Sequence, residues 1–313
     1  MENISQVYIG VDISKDHLDV CIHPLGRSLK IKNSEADIAK LAQELKSYTV
    51  ASIGCEATGG YEKLLVKTLQ DHSYNVWIID PRRVKGFIVA TGCKSKTDKI
   101  DAQKIAQFVA QNPRSFEAID KSEAEEKVQA LVDRKQDLMK FLVAEKTRFK
   151  HPSHAFHGAN IKKFIALLER EIEKLDIQIQ KLLQDDENLH RRASILESIP
   201  GIGTSSAAVL LSSLPELGKI GNNQIAALVG LAPFDNASGR YSGKKFIRGG
   251  RATPRNALYM CALTTIKHNP VLKAFYDHLI AQQKPFKVAI VAVMRKMIVL
   301  ANALLRKNEL CRV

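Results

Sequence analysis

Four carboxylates and one serine carry the chemistry this sequence offers. Asp12 ends a run in which Val7, Ile9 and Val11 alternate with Tyr8, Gly10 and Asp12, the period-two pattern of a half-buried strand. A carboxylate closing an apolar strand is costly without a partner. The carboxyl ends of strands are also where open α/β sheets bind ligands. Glu56 closes a second apolar run, Val50 to Cys55, just before Gly59-Gly60. Parallel pairing of the two runs would make Asp12 and Glu56 neighbours, and two close carboxylates repel unless a cation lies between them. Asp98 and Asp101 stand three apart in a helical stretch and so share one face. Four carboxylates from two strands and a helix can cage two hard cations. Two cations about 4 Å apart can activate a nucleophile and stabilise the leaving oxygen of a phosphodiester. Each acid alone reads as well as a turn residue, a helix-entry charge or part of a solvated face; the set together points to metal chemistry. Asp16 and Asp19 are weaker members, because they lie in or after a hairpin turn.

The surroundings suit a phosphate substrate. Arg82, Arg83, Lys85, Lys94, Lys96 and Lys99 flank Asp98, which is the one acid between Arg82 and Lys99. A second basic stretch holds Arg240, Lys244, Lys245, Arg248, Arg251 and Arg255 without an acid, and its glycines at 239, 243, 249 and 250 make it a loop or ribbon. Such a stretch is suited to gripping phosphates. Ser238, followed by Gly239, heads it. A serine hydroxyl is a weak nucleophile until a base, a metal or a positive field activates it. By spacing alone Ser238 is more often a turn former, and Ser242 is its rival. Pro200-Gly201-Ile202-Gly203 reads either as a phosphate-holding hairpin between helices, as in helix-hairpin-helix elements, or as a plain helix–helix turn.

The elements that must position these residues fall into three segments. Residues 1–115 read as an α/β unit with a mixed sheet: three strands (7–11, 18–22, 28–31), a helix over 35–46 capped by Ser34, a strand over 50–55, a helix over 61–69, a strand over 76–79 stopped by Asp80-Pro81, and a helix over 97–109. Residues 116–193 carry Ile165, Leu168, Ile172, Leu175, Ile179 and Leu182 at heptad spacing, the mark of a coiled coil or helical hairpin. Pro152 and Gly158 place its turn. It reads equally as a solvated spacer and as an oligomerisation element. Residues 194–313 read as mostly helical.

Charge narrows the partner. The chain of 313 residues has 47 Lys or Arg against 33 Asp or Glu, a net of +14. Residues 195–313 alone hold 16 against 5, a net of +11. That excess favours nucleic acid first and an acidic membrane surface second. Aromatics at 6% argue against an extended base-stacking platform. No run of roughly 18 consecutive apolar residues suggests a membrane span, and the first residues lack the pattern of a signal peptide. Five scattered cysteines, with no CxxC pair, indicate neither a zinc ribbon nor a disulfide framework. A reduced, cytoplasmic protein without a membrane partner is expected.

Five motifs occur in order: Tyr8-Ile-Gly-Val-Asp12-Ile-Ser-Lys, Glu56-Ala-Thr-Gly-Gly-Tyr61, Lys94-Ser-Lys-Thr-Asp98-Lys-Ile-Asp101-Ala, Ile199-Pro-Gly-Ile-Gly203, and Gly230-Leu-Ala-Pro233 through Ser238-Gly239. Together they resemble the DEDD-type insertion-sequence transposases, the Piv-like relatives forming insertion-sequence family one-hundred-ten, over nearly the whole chain. The resemblance implies an RNase H-like (RuvC-like) domain, a coiled-coil spacer and a C-terminal transposase domain. It implies that Asp12, Glu56, Asp98 and Asp101 bind Mg²⁺ (or Mn²⁺) and that Ser238 is a nucleophile. It further implies double-stranded DNA as substrate, a structured noncoding guide RNA, the bridge RNA, and a tetramer whose composite site draws on different subunits. On that reading Arg82, Arg83, Lys94, Lys96, Arg240, Lys244, Lys245, Arg248 and Arg251 contact nucleic acid. A RuvC-like structure-specific nuclease, with the serine dispensable, and a non-catalytic nucleic-acid scaffold are the competing functions.

Overall fold

The computed structural model describes residues 6–91, 98–112, 122–234, 237–238, 241–243 and 245–312, and divides the chain into two compact units, residues 1–118 and 119–313.

The first unit is mixed α/β. Strands β1 (Val7–Ile13), β2 (His17–His23) and β3 (Arg27–Lys32) form an antiparallel meander. Helix α1 (Glu35–Leu45) begins at Ser34, whose hydroxyl accepts from the Asp37 N–H, the expected N-cap. Strand β4 (Val50–Glu56) then pairs parallel with β1, helix α2 (Glu62–Asp71) follows, and β5 (Val76–Ile79) pairs parallel with β4. The sheet order is β3-β2-β1-β4-β5. Alternation sends Val7, Ile9, Val11 and Ile13 to a face packed with Ile38, Leu41 and Leu45 of α1 and Leu65 and Leu69 of α2.

The chain does not stop after β5. Helix α3 (Pro81–Ala90) starts at once, with Asp80 as N-cap and Pro81 at its first position. Asp-Pro, read as a strand terminator, is here a helix initiator, because proline's fixed φ and missing N–H suit the first turn. Helix α4 (Asp98–Gln111) covers the other sheet face, where Ile105, Phe108 and Val109 pack with Trp77 and Ile79.

Two glycines set how deep α4 sits. Gly10 and Gly54 are cross-strand partners. A Cβ on Gly10 would stand 2.2 Å from both the Ala102 carbonyl oxygen and the Ala106 nitrogen, and one on Gly54 would stand 2.4 Å from a Val109 methyl. The helix backbone therefore rests directly on the sheet.

The second unit is mostly helical. Helices α5 (Glu123–Lys150) and α6 (Gly158–Asp185) form an antiparallel hairpin joined by a 3-10 turn over Pro152–His157. Ser122 and Glu125 close a capping box at the start of α5, and the Glu125 carboxylate also takes a buried ion pair from Arg192. The hairpin is continuous with the helices that follow: α7 (Glu187–Glu197), α8 (Thr204–Ser213), α9 (Asn222–Leu228), α10 (Ala252–His268), α11 (Pro270–Ala281) and α12 (Phe286–Lys307). Val128, Val132, Ile179 and Leu183 at the hairpin base share one core with Leu196, Leu210, Leu258, Val293 and Met297.

By length and composition α12 could cross a membrane, with mean hydropathy of 2.0 over 18 residues. Its Ala289, Ile290, Val293, Met294, Met297, Ile298 and Ala301 are instead buried within the unit. Its buried Asn302 accepts from the Gly218 N–H at 2.8 Å and donates to the Ile220 carbonyl at 3.0 Å and to Asn222 Oδ1 at 2.9 Å. It is packed as a core helix.

Trp77 is the only tryptophan and lies 5.4 Å, ring to ring, from Phe108 on α4. Its fluorescence therefore reports on α4. Gly10→Ala is expected to destabilise the first unit by about 3 kcal/mol, the upper end for overpacking, with a red shift of Trp77 emission and an earlier denaturation midpoint. Gly86→Ala is the contrast: inside α3, a Cβ there meets nothing within 4 Å. It should leave emission unchanged and stabilise by up to about 1 kcal/mol.

Candidate functional site

Asp12 and Glu56 stand side by side at the carboxyl ends of β1 and β4, in the middle of the first unit's sheet. The parallel register pairs Gly10 with Gly54 and Val11 with Cys55. One residue further on the α4 face stand Asp12, the last but one residue of β1, and Glu56, the last of β4, and both are half-buried. Asp101, also half-buried, directly precedes Ala102, whose carbonyl rests against Gly10. Gly10 lies two residues, or about 7 Å, before Asp12 on the same face. Asp98 opens α4; its side chain lies outside the described residues.

Three further residues support these strand ends: Asp19, a weaker member by its place in the sequence, and Glu62 and Asn33, which sequence reasoning passed over. Asp19 sits directly opposite Asp12 in the β1–β2 register, and Lys30 of β3 reaches it at 3.4 Å. Although Asp19 follows a hairpin turn, antiparallel pairing places it in the acidic row. Glu62 is the second. Its carboxylate accepts from the Thr58 hydroxyl at 2.6 Å, the Gly60 N–H at 2.8 Å and the Thr58 N–H at 3.2 Å, and so fastens the loop after Glu56. Burial pushes the Glu62 carboxyl up, but the three hydrogen bonds outweigh it and hold it below the usual glutamate range. The Thr-x-x-x-Glu spacing over 58–62 is the signal that could have found it. Asn33 is the third: its amide donates to the Ser14 and Tyr61 carbonyls at 3.1 and 3.2 Å, joining the loops that follow β1 and β4.

Asp12, Glu56 and Asp101 present only carboxylate oxygens, the donor type of Mg²⁺ rather than of softer metals. Among the described residues no three His, Cys, Asp or Glu side chains stand arranged around a single metal position. Cys55 offers no nucleophile: burial, with the Glu62 and Glu56 carboxylates adding to it, pushes its thiol far above the usual range.

The flanking arginines are exposed, but each has a partner within the first unit. Arg82 grips Asp80 at 2.6 Å, and Arg83 lies 5.3 Å over both Trp77 and Phe108. Lys94 and Lys96 lie outside the described residues.

In the second unit the basic stretch is a ribbon. Strands β6 (Pro233–Phe234) and β9 (Phe246–Ile247) pair antiparallel around β7 (Ala237–Ser238) and β8 (Tyr241–Ser242), with Ser238 opposite Tyr241 and Ala237 opposite Ser242. Arg240 and Lys244 lie outside the described residues; Lys245 and Arg248 are exposed. Arg251, grouped by sequence with the phosphate-binding residues, has both guanidinium nitrogens on the Glu216 carboxylate at 2.6 Å and one on the Ser213 carbonyl at 2.9 Å. It anchors the ribbon. The Pro200–Gly203 turn is packed against α10: Thr265 donates to the Pro200 carbonyl at 2.9 Å, and a Cβ on Gly201, whose φ is +102°, would stand 2.1 Å from the Thr265 hydroxyl.

Two family models match the chain: a DEDD transposase model of the IS110 group over residues 9–152, and the transposase IS116/IS110/IS902 family over residues 193–277. The chain belongs to the IS110 family of transposases. The Pilin gene-inverting proteins of Moraxella bovis and Moraxella lacunata are each 28% identical to it over 320 residues, covering 98% of both chains. The Insertion element IS900 uncharacterized 42 kDa protein of Mycobacterium paratuberculosis is 30% identical over 151 residues, 46% of this chain and 38% of its own. This IS110-family transposase is therefore a DNA recombinase, and its two matched segments contain, respectively, the acidic strand ends and the serine ribbon.

Glu62 gives the transposase's first unit a stability that depends on pH. The unfolded carboxyl titrates near the ordinary value of about 4.3, and the folded one below it. The contribution is thus complete above that value and lost as pH falls through the folded pKa. Glu62→Gln is expected to cost about 2 kcal/mol at pH 7, as for hydrogen bonds to a charged group. The gap between variant and wild type should close on acidification in denaturant titrations read by Trp77; a gap independent of pH would exclude the charged-acceptor role.

Proposed function

We propose that this transposase cuts and rejoins DNA by forming a covalent bond between Ser238 and a strand end, with Asp12, Glu56, Asp98 and Asp101 as the carboxylates that bind Mg²⁺ or Mn²⁺. The observation that carries the reading is the β1–β4 register, which brings Asp12 and Glu56 side by side near the carboxyl ends of adjacent strands, on the face covered by the helix that begins Asp98-Lys-Ile-Asp101. Residues 1–115 then form an RNase H-like (RuvC-like) domain, 116–193 a coiled-coil spacer, and 194–313 the transposase domain.

The Ser238 hydroxyl attacks phosphorus. A P–O bond to the serine forms, the P–O bond to one deoxyribose breaks, and that sugar oxygen leaves as a hydroxyl once it takes up a proton. The phosphoserine diester keeps the bond energy, so a second strand's hydroxyl can reverse the step on a new partner and free the serine. A divalent cation at the carboxylates supplies charge neutralisation for the phosphate and eases deprotonation of a nearby hydroxyl. Lys245 and Arg248, exposed on the ribbon, bind phosphates flanking the cut; Arg240 and Lys244 belong to the same stretch. The name of the Moraxella relatives speaks of inverting a gene, and inversion of a DNA segment requires cutting and rejoining. A structured noncoding RNA specifies the sites by base pairing, the working form is a homotetramer, and the reaction takes place on DNA in a prokaryotic cytoplasm.

The test combines purified protein, element-end DNA, its candidate guide RNA and Mg²⁺, and scores a denaturation-resistant protein–DNA adduct. Ser238→Ala and Asp12→Asn are each expected to reduce adduct at least about 10³-fold, as for groups acting as a unit, while Ser242→Ala retains it. Chelation should abolish the adduct, and omission of the RNA should abolish its site selection. Metal-dependent cleavage with no adduct, unchanged in Ser238→Ala, would replace the serine mechanism with hydrolysis by the carboxylate site alone.

A further inference from the structure

We propose that the tip of the α5–α6 hairpin binds a single-stranded stretch of nucleic acid, with Phe156 stacking on an unpaired base and the surrounding lysines holding its phosphates. The tip is distinct from the acidic strand ends and from the ribbon. It lies at the far end of the hairpin from the core: from Val132 to Lys150 the helix extends about 27 Å.

Three observations carry the assignment. The first is charge. Residues 146–163 contain five Lys or Arg and no Asp or Glu. Lys146 and Arg148 have acidic partners, Glu169 and Glu145, outside that segment. Lys150 and Lys163 are exposed and have no acidic partner among the described residues. Lys162 lies 5.9 Å over the Phe149 ring.

The second is aromatic exposure. Phe156 is 93% exposed, and Phe149 and Phe164 near it are 43% and 42% exposed. A ring left in water at a helix–helix turn contributes nothing to the core. The turn itself is held by Pro152 at its start and by His151, whose ring accepts from the Ser153 N–H at 3.3 Å.

The third is the form of the turn. The 3-10 helix has three residues per turn, which sets His154 and His157 along one side, with His151 as its N-cap. The ring centres of His151 and His154 are 5.7 Å apart, and Phe156 meets His157 edge to face at 5.1 Å. Phe156 thus stands almost wholly in water beside an imidazole, in a segment whose only charges are cationic.

The occupant follows from chemistry. A second copy of this tip would be repelled by its own charge. The partner must be anionic along its length and present flat faces that are free to stack. An unpaired nucleotide strand meets both demands, whereas a duplex hides its faces. The low aromatic content of the chain is no obstacle, since the site asks for one to three bases and not an extended platform.

The test uses the full-length protein and fluorescence anisotropy with a 20-nucleotide RNA, the DNA strand of the same sequence, and the corresponding DNA duplex; vesicles containing phosphatidylglycerol form a fourth arm. Phe156→Ala should weaken binding of the single strands about tenfold and leave the duplex unchanged. The combined variant Lys150→Gln, Lys162→Gln, Lys163→Gln should lower the slope of log affinity against log salt by about 2 for the single strands. A charge-matched control, Lys127→Gln, Lys140→Gln, Lys174→Gln, removes lysines that are ion-paired elsewhere on the hairpin and should change neither quantity. The RNA and DNA arms assign the strand by which of them loses more. Circular dichroism melting confirms that the variants keep their helices. The proposal fails if neither tip variant weakens any nucleic acid, if the control weakens binding as much as the tip variant does, or if the duplex is affected equally. Dependence on Phe156 seen only with vesicles would also overturn it and point to a membrane surface.

Discussion

The contact between the α4 backbone and Gly10 of β1 governs the first unit. With any larger residue at Gly10, α4 would have to lift by the thickness of a side chain, because the Ala102 carbonyl and Ala106 nitrogen already occupy the place of a Cβ. Lifting α4 would carry Asp101 away from the strand ends where Asp12 and Glu56 stand. It would also open the packing of Ile105, Phe108 and Val109 on Trp77 and Ile79. Small side chains continue the contact sideways, since Cys21 of β2 joins Ala102 and Ala106 in a buried cluster. The row Cys21, Gly10, Gly54 thus forms a shallow trough across three strands, and the row one step further, Asp19, Asp12, Glu56, is acidic. Close packing and charge lie side by side because strand alternation places residues two apart on one face.

The loops at those strand ends are held by polar groups and not by apolar packing. Glu62 gathers three donors from Thr58 and Gly60, and Asn33 bridges Ser14 and Tyr61. A polar clamp is directional, so it fixes backbone that no core residue reaches. The second unit uses the same device at its ribbon. Arg251 places a planar guanidinium on both oxygens of Glu216, a geometry that lysine cannot supply. Arg255 meets the carbonyls of Val229 and Gly249. Two-residue strands such as β6 and β9 have too few ladder bonds to be stable alone, and these arginines fasten the base from which Ser238 is carried.

Much of this was legible in the sequence where a pattern had one physical meaning. Alternation over Val7–Asp12, the Ser34 cap and the apolar run at Val50–Cys55 each mapped onto the expected element, and the parallel pairing of the two strands made Asp12 and Glu56 neighbours. What escaped was ambiguous locally. Asp80-Pro81 ends a strand and begins a helix with the same two residues, so α3 was missed. Asp19 looked like a hairpin residue because its partner across the sheet cannot be read from neighbours in sequence. The heptad of α6 was correctly helical, yet Ile165, Ile172 and Leu175 are only half-buried while Ile161 and Leu183 are buried. Periodicity names a face but not the depth to which one partner helix covers it. Between the heptad segment and the C-terminal helices the shared core shows no break, a continuity that composition could not reveal because the boundary is drawn by packing.

Net charge likewise does not say which cations a polyanion meets. Ion pairs already cancel in the +14 of the chain, and individual guanidinia have partners: Arg82 meets Asp80, Arg83 two aromatic rings, Arg192 Glu125, Arg251 Glu216, and Arg191 the carbonyl and side chain of Asn308. A cation already paired releases no counterion when a phosphate approaches unless it first breaks its bond, so it adds little to the salt dependence of binding. Arginine is favoured for such internal duties because its fork matches carboxylates and adjacent carbonyls at once. Lysine does the same at Lys135, which is largely buried and paired with Asp176, but most of the ion-paired lysines are exposed on flexible stems. The electrostatic footprint of this transposase is consequently patchier than its composition implies. Among the described residues, the turn between α5 and α6 carries lysines without an acidic partner, Lys150 and Lys163.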